Sequence, residues 1–430
     1  MRNTLIFLQA IFVCAFGASY VLAQSLESKT SAIYSSSSAN MQRVESGFVA
    51  DSVKSLILSP AELATRIAQA KQQLKSLPTS SSGGALVNVA ALDMLKKQIS
   101  ILSFPKNQFL VKGADLVSND QFGRAIQVHV LRANGVNTAI TAVDSGTAQS
   151  LLPLSVKFPI SKNGVNETAF YTSAHPAIVT ADTASGGETY VRTMLQTASE
   201  SLVNDGVNVG SDILDVAEHL CVVEHTDHLR FITDDHAKLF PEILSLYAFN
   251  QGETFKYSVS TAGAGGMIQM IPSTYAGIRR QHPHVALIPD FVTGMRDHAN
   301  ALKAMLLYIN DTWDGLEKNE EVQQALSTGI ATKPELLAAG YNSNPMRLSG
   351  YLKNGGSSWR KLIPAETQTY LSIYSEVDKA LDVEADRRLL ESQQKSAETE
   401  SSAPQPARNV AMFSWLSNTL FSHVLFTPLP

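Results

Sequence analysis

The chain has 430 residues, 44% of them apolar and 17% charged, with a formal net charge of −5. That apolar share builds a sizeable core and excludes global disorder, and the acidic balance excludes a protein held to nucleic acid by bulk charge. Two cysteines exclude a disulfide framework and a multi-cysteine metal centre.

The first 23 residues read as a secretory signal peptide. Arg2 precedes an uncharged run over residues 4–22, and Val21-Leu22-Ala23 before Gln24 fits a small-residue cleavage site. Cleavage after Ala23 removes Cys14 and leaves Cys221 as the sole thiol. The expected location is therefore the periplasm. Residues 24–58, with the serine run 35–38, read as a flexible lead-in segment.

Over residues 59–107 the spacing of Leu63, Ile67 and Leu74, and then of Leu92, Leu95 and Ile99, predicts two helices in an antiparallel hairpin, with Pro60 in the first turn. Residues 108–185 read as a small β-rich module. Ile126, Val128 and Val130 alternate with polar residues, and Asn134-Gly135 is a type I′ hairpin signal. His129 and His175 are read as structural.

From residue 186 to about 390 the pattern is helical, with segments expected over 188–203, 211–231, 241–250, 294–313, 334–340 and 365–390. Residues 391–408 form a polar, Pro-bearing linker. Residues 409–430 form an apolar tail without Asp, Glu, Lys or Arg between Val410 and Leu425. Two assignments stay open for the tail: a helix that contacts a membrane surface or a protein partner, and a helix folded onto the protein's own core. The fold class expected is α+β.

The residues that carry chemistry fall in three stretches. Glu253-Thr254 follows an apolar helix; burial at such a position raises a carboxyl pKa towards that of a general acid. Ser260 to Gln269 is glycine-rich, with Gly263, Gly265 and Gly266 free to bring backbone close to a carboxylate or a substrate. Gln269 and, further on, Asn342 are amides able to read sugar hydroxyls and N-acetyl groups, and Tyr341 offers a ring face and a hydroxyl.

In this order the stretches resemble the transglycosylase domain of the soluble lytic transglycosylase family, which has a lysozyme-like fold. Glu253-Thr254 stands where that family has Glu-Ser. Gly266-Met267-Ile268-Gln269 with Pro272 and Thr274 stands for its Gly-Leu-Met-Gln motif, and Gly340-Tyr341-Asn342 for Ala-Tyr-Asn. Pro364, Glu366, Thr367 and Tyr370 match the family's closing segment. The resemblance covers about residues 210–380.

The resemblance implies a carbon–oxygen lyase that cleaves peptidoglycan glycan strands between N-acetylmuramic acid and N-acetylglucosamine. It implies Glu253 as acid and then base, with a 1,6-anhydro ring as product. It also implies Thr254, Ser260, Met267, Gln269, Tyr341, Asn342 and Tyr370 as substrate-binding residues, and no metal or organic cofactor. The loop from Glu253 to Ser260 is shorter than the family's, which keeps Glu242 and Glu224 as alternative acids. Asp290 and Asp297 are the distal residues able to supply a second acid, which would make the protein a hydrolytic muramidase. A non-catalytic murein-binding or envelope-assembly protein is the alternative of a different class. His219, His225 and His228 are read as the polar side of a long helix rather than a metal site, and Cys221 as a buried hydrophobe.

Overall fold

A computed structural model of the protein describes residues 58–78, 85–162 and 165–381. The expected signal peptide, all but the last residue of the expected lead-in segment, the expected linker and tail, and the end of the helix expected over 365–390 lie outside the described residues. The chain divides into two units, residues 1–374 and 375–430. Of the second, only 375–381 are described, and they are helical. Among the described residues, no helix is long and apolar enough to cross a membrane.

The first helix, α1 (Pro60–Ser76), forms as its sequence predicts. Ser59 caps it by accepting from the Glu62 N–H, Pro60 occupies the first turn, and Leu63, Ile67, Ala70 and Leu74 make a buried stripe. The second helix of the expected hairpin does not exist. Residues 86–105 are two antiparallel strands, β1 (Leu86–Asp93) and β2 (Gln98–Pro105), paired from Leu86–Pro105 to Asp93–Gln98. The reason is burial on both faces. Val87, Val89, Ala91, Leu102 and Phe104 face the sheet's interior, while Ala90, Leu92 and Ile99 pack on α1. A strand buried on two sides loses its period of two, and its apolar run imitates a helix.

A four-residue helix, α2 (Lys106–Phe109), leads into β3 (Asp115–Asn119), β4 (Ala125–Arg132), β5 (Ala139–Asp144), β6 (Ser150–Lys162) and β7 (Val165–Tyr171). The strand order is β2-β1-β6-β5-β4-β3, with β7 paired to β6. Every pairing is antiparallel, and the sheet curls until it nearly closes. Across the gap between β2 and the β3–β4 side, side chains serve as rungs. Gln121 accepts from the Ile101 N–H at 2.8 Å and donates to the Ile99 carbonyl at 2.8 Å, and Ser118 Oγ accepts from the Ser103 N–H at 3.1 Å.

The β4–β5 connection is a hairpin, but not the two-residue type I′ turn. Residues 133–138 span it, with a 3-10 turn over Gly135–Asn137, Gly135 at φ +52° and the Thr138 hydroxyl donating to the Gly135 carbonyl. Arg124 lies among Asp93, Asp120 and Asp144, bonding the first two at 2.8 and 2.9 Å. Those hydrogen bonds, together with backbone donors, hold Asp93 and Asp120 below the usual carboxylate range despite burial, which by itself raises them.

The helical half comprises α3 (Ala181–Asn204), α4 (Ser211–Val223), α5 (His228–Thr233), α6 (His236–Asn250), α7 (Pro272–Gln281), α8 (Phe291–Arg296), α9 (His298–Leu316), α10 (Glu320–Ser327), α11 (Lys333–Asn342) and α12 (Leu348–Gly355), with a further helix beginning at residue 365. The segment expected over 211–231 is thus two helices. It breaks at Glu224, and Leu229 beyond the break is exposed. Pro241 lies inside α6 instead of opening it, and the segment expected over 294–313 is divided at Asp297.

Helix α9 runs through the middle, with Leu302, Ala304, Met305, Leu306 and Leu307 fully buried. Helices α3 and α6 touch at Gly187, where a Cβ would stand 1.8 Å from the Leu244 carbonyl oxygen. Sheet and helices share a core: Leu246 of α6 belongs to the sheet's apolar cluster. Asn250, the last residue of α6, accepts from the Thr172 N–H and donates to the Thr172 carbonyl, both at 2.8 Å.

Candidate active site

Glu224 ends α4, whose apolar face (Ile213, Val216, Leu220, Val223) is buried. The residue is half-buried. The Tyr370 hydroxyl donates to Glu224 Oε1 at 2.5 Å. Desolvation is the largest influence and pushes the Glu224 carboxyl up to about 8; the Tyr370 hydrogen bond acts in the opposite sense, and the charge of Glu366 adds to the rise. The same carboxylate raises the phenols of Tyr341 and Tyr370 beyond the effect of their own burial.

Three other segments lie at or beside the end of α4. His225, the next residue, is neutral: burial drives its pKa down to about 3. Its Nε2 donates to the Met267 carbonyl at 3.0 Å, and its ring stacks on Phe255 with centroids 3.4 Å apart. That bond fixes the Met267–Gln269 segment beside the end of α4.

The Tyr341 hydroxyl donates to the Ile268 carbonyl at 2.7 Å, and its ring meets Tyr308 edge-on. Asn342 Oδ1 accepts from the Thr367 hydroxyl at 2.8 Å, tying α11 to the helix that carries Tyr370. Gly266 sits at φ +70°, and a Cβ there would lie 2.2 Å from the Met295 carbonyl oxygen, so only glycine lets this segment pass α8.

Of the residues singled out in the sequence, Tyr370 bonds the Glu224 carboxyl and Tyr341 feels its charge, while Met267 is tied to the neighbouring His225 and Asn342 to Thr367. Gln269 adjoins them with φ +46°, its amide donating to Ser258 Oγ at 3.2 Å and to the Gly266 carbonyl at 2.7 Å. Glu253 does not join them. It sits in a 3-10 turn, with a side chain 45% exposed and paired to Lys256 at 2.8 Å. The turn after α6 leaves the helix axis and carries the carboxylate towards solvent instead of into the apolar face.

Thr254 is fully buried. Its hydroxyl donates to the Leu246 carbonyl and its own carbonyl accepts from His298 Nε2, so both are engaged within the protein. Ser260 shapes the turn to Ala264, accepting from the Ala264 N–H at 3.0 Å.

The other acids have structural tasks. Glu242 takes both Arg230 nitrogens (3.0 and 2.8 Å) and Arg132 (2.8 Å). Burial favours its neutral form, but these arginines outweigh it and hold Glu242 ionised. Asp290 and Asp297 cap α8 and α9, each accepting a backbone N–H three residues on.

His225 and His228 do not share a helical face, because α4 ends before them. His219 contacts the Asp215 carbonyl and the Tyr374 ring. Among the described residues, no group of three His, Cys, Asp or Glu is placed to hold a metal ion. Cys221 is buried, and burial pushes its thiol up.

Glu224, an alternative acid in the sequence reading, is thus the carboxyl that these contacts surround. Its signal was a carboxylate at the end of a helix with a buried apolar face. That signal was masked because α5 and α6 intervene before the glycine-rich segment. Comparison with protein-family models, curated proteins and solved structures finds no match.

Proposed function

We propose that the protein is a lytic transglycosylase acting on peptidoglycan glycan strands, with Glu224 as its acid and base in place of Glu253. One observation carries the reading. A carboxyl pushed up to about 8 ends an apolar helix under a tyrosine hydroxyl, with the Met267–Gln269 segment bonded to the adjoining His225 and to Tyr341.

Near neutral pH such a carboxyl is protonated. With Tyr370 donating to Oε1, the acidic proton rests on Oε2, free to pass to the glycosidic oxygen as the C1–O bond breaks. The carboxylate left behind has weak solvation and a negative neighbour in Glu366, and is therefore a strong base. It takes the proton of the muramic C6 hydroxyl as that oxygen bonds to C1, which closes the 1,6-anhydro ring and restores Glu224. The hydroxyl's high effective concentration favours it over water. With Asp290 and Asp297 committed to capping, neither is available to activate a water.

A lysozyme-like identity for residues 210–380 and export to the periplasm belong to the same proposal. The test is product analysis of digested sacculi. The expected product is anhydro ends that borohydride does not reduce, absent with Glu224→Gln and retained with Glu253→Gln. Reducible ends would mean hydrolysis, with Glu366 the first acid to substitute. Loss of cleavage with Glu253→Gln alone would return the acid to position 253.

A further inference from the structure

Residues 251–258 join α6 to the glycine-rich segment. Two of them are not glycine yet have positive φ: Gln251 at +47° and Phe255 at +54°. A phenylalanine has no side-chain polar group to favour that backbone, so its surroundings must impose it. Such strain concentrates where a side chain has to be aimed.

The sheet supplies the grip. Tyr171, the last residue of β7, and Thr172 after it hold this segment at two points. Thr172 exchanges two hydrogen bonds with Asn250, immediately before the segment. Burial raises the Tyr171 phenol, and a hydrogen bond with the Phe255 backbone opposes that rise. The Phe255 side chain packs on the sheet's apolar cluster, and Tyr247 of α6 meets its ring edge-on at 5.3 Å.

Held this way, the ring lies flat on His225, with centroids 3.4 Å apart and planes within 3° of parallel. The stack fixes the plane of the imidazole. The hydrogen bond from His225 Nε2 to the Met267 carbonyl fixes its rotation within that plane. His225 is the residue next to Glu224.

The structure assigns Phe255 as a positioning residue that aims the Glu224 carboxyl through His225, with the sheet as its anchor. This rests on the transglycosylase reading. The β-rich module then serves the reaction, although none of its residues touches the carboxyl in this chain of contacts. Substrate binding is held separately. The Gln269 amide is fixed by Ser258 Oγ and the Gly266 carbonyl, and neither bond involves the Phe255 ring. Mis-aiming the acid therefore raises the barrier without weakening the bound ground state.

The experiment measures kcat and KM for release of anhydro ends from soluble glycan strands by the full-length protein. Phe255→Leu keeps apolar bulk without a ring plane, and its melting temperature establishes that it is folded. Its kcat is expected to fall roughly five- to tenfold, with KM within about twofold of the parent. Phe255→Tyr restores the ring, which faces a cavity of about 430 Å³ with room for the added hydroxyl, and should recover most of the loss. Tyr171→Phe leaves the core filled and removes only the hydroxyl. Its kcat should fall roughly two- to threefold at unchanged KM, which tests the anchor even where Phe255→Leu does not fold. A folded Phe255→Leu protein with parental kcat overturns the assignment. So do a loss that falls on KM, a Phe255→Tyr protein as slow as Phe255→Leu, and parental kcat in Tyr171→Phe. An inactive parent, or cleavage that survives Glu224→Gln, overturns the transglycosylase reading instead.

Discussion

The end of α4 at Glu224 and the turn around Glu253 are two acidic sites with opposite physics. Each carboxylate follows an apolar helix, α4 in one case and α6 in the other. At Glu224 the chain packs a tyrosine hydroxyl and apolar walls against the carboxyl, and its proton becomes hard to remove. At Glu253 a lysine lies 2.8 Å away and nearly half the side chain meets water. The difference teaches that a helix end alone does not make an acid. What closes over the carboxyl decides, and that comes from segments distant in sequence.

The largest expected effect is from Glu224→Gln. The amide cannot give a proton, so cleavage should fall by roughly 10²–10⁴-fold, as measured by muropeptide release, with the fold intact. Tyr370→Phe comes next. It removes the donor to Glu224 Oε1, so turnover should fall by roughly tenfold. Because that bond favours the ionised form, its loss should also move the alkaline limb of the pH–rate profile, near pH 8 in the parent, upwards. Glu366→Gln should move the same limb downwards with little loss of turnover, because the charge of Glu366 helps keep Glu224 protonated. Limbs moving in the same direction would break the account of the site. Glu253→Gln should change activity by less than about twofold, as expected of a screened surface pair. A large loss there would reverse the comparison.

Stability offers a separate check. The folded-state pKa of Glu224 lies above its unfolded value, so the native protein holds a proton the unfolded chain has released. Its contribution is fully present below the unfolded pKa near 4.5 and is lost as pH rises through about 8. Glu224→Gln should therefore melt higher than the parent above pH 8, and the gap should close on acidification. A gap that does not vary with pH would place the carboxylate in water.

Much of the architecture was legible where one face of an element is wet. The α1 stripe, the alternation of Ile126, Val128 and Val130, and the helical character from α3 onward all followed from period alone. The β1–β2 hairpin was not legible, because packing against both α1 and the sheet interior erased its alternation. The motifs Met267–Gln269 and Tyr341–Asn342 were found because their residues are unusual and close together. Glu224 was harder to see. Its partners Tyr341 and Tyr370 lie more than a hundred residues downstream, and Glu253 stands nearer to the glycine-rich segment in the chain. Proximity in sequence stood in for proximity in space.

The double hydrogen bond between Asn250 and Thr172 has a bearing on how this protein can be dissected. A side-chain amide there completes the end of the sheet as a neighbouring strand would, and it sits at the last residue of α6. Cutting the chain after residue 175 to isolate the helical portion would strand a buried carboxamide and uncover Leu246. The truncated piece should precipitate where the whole unit stays in solution. For expression or crystallisation, the sheet and the helices are therefore a single inheritance, to be trimmed only at their outer termini.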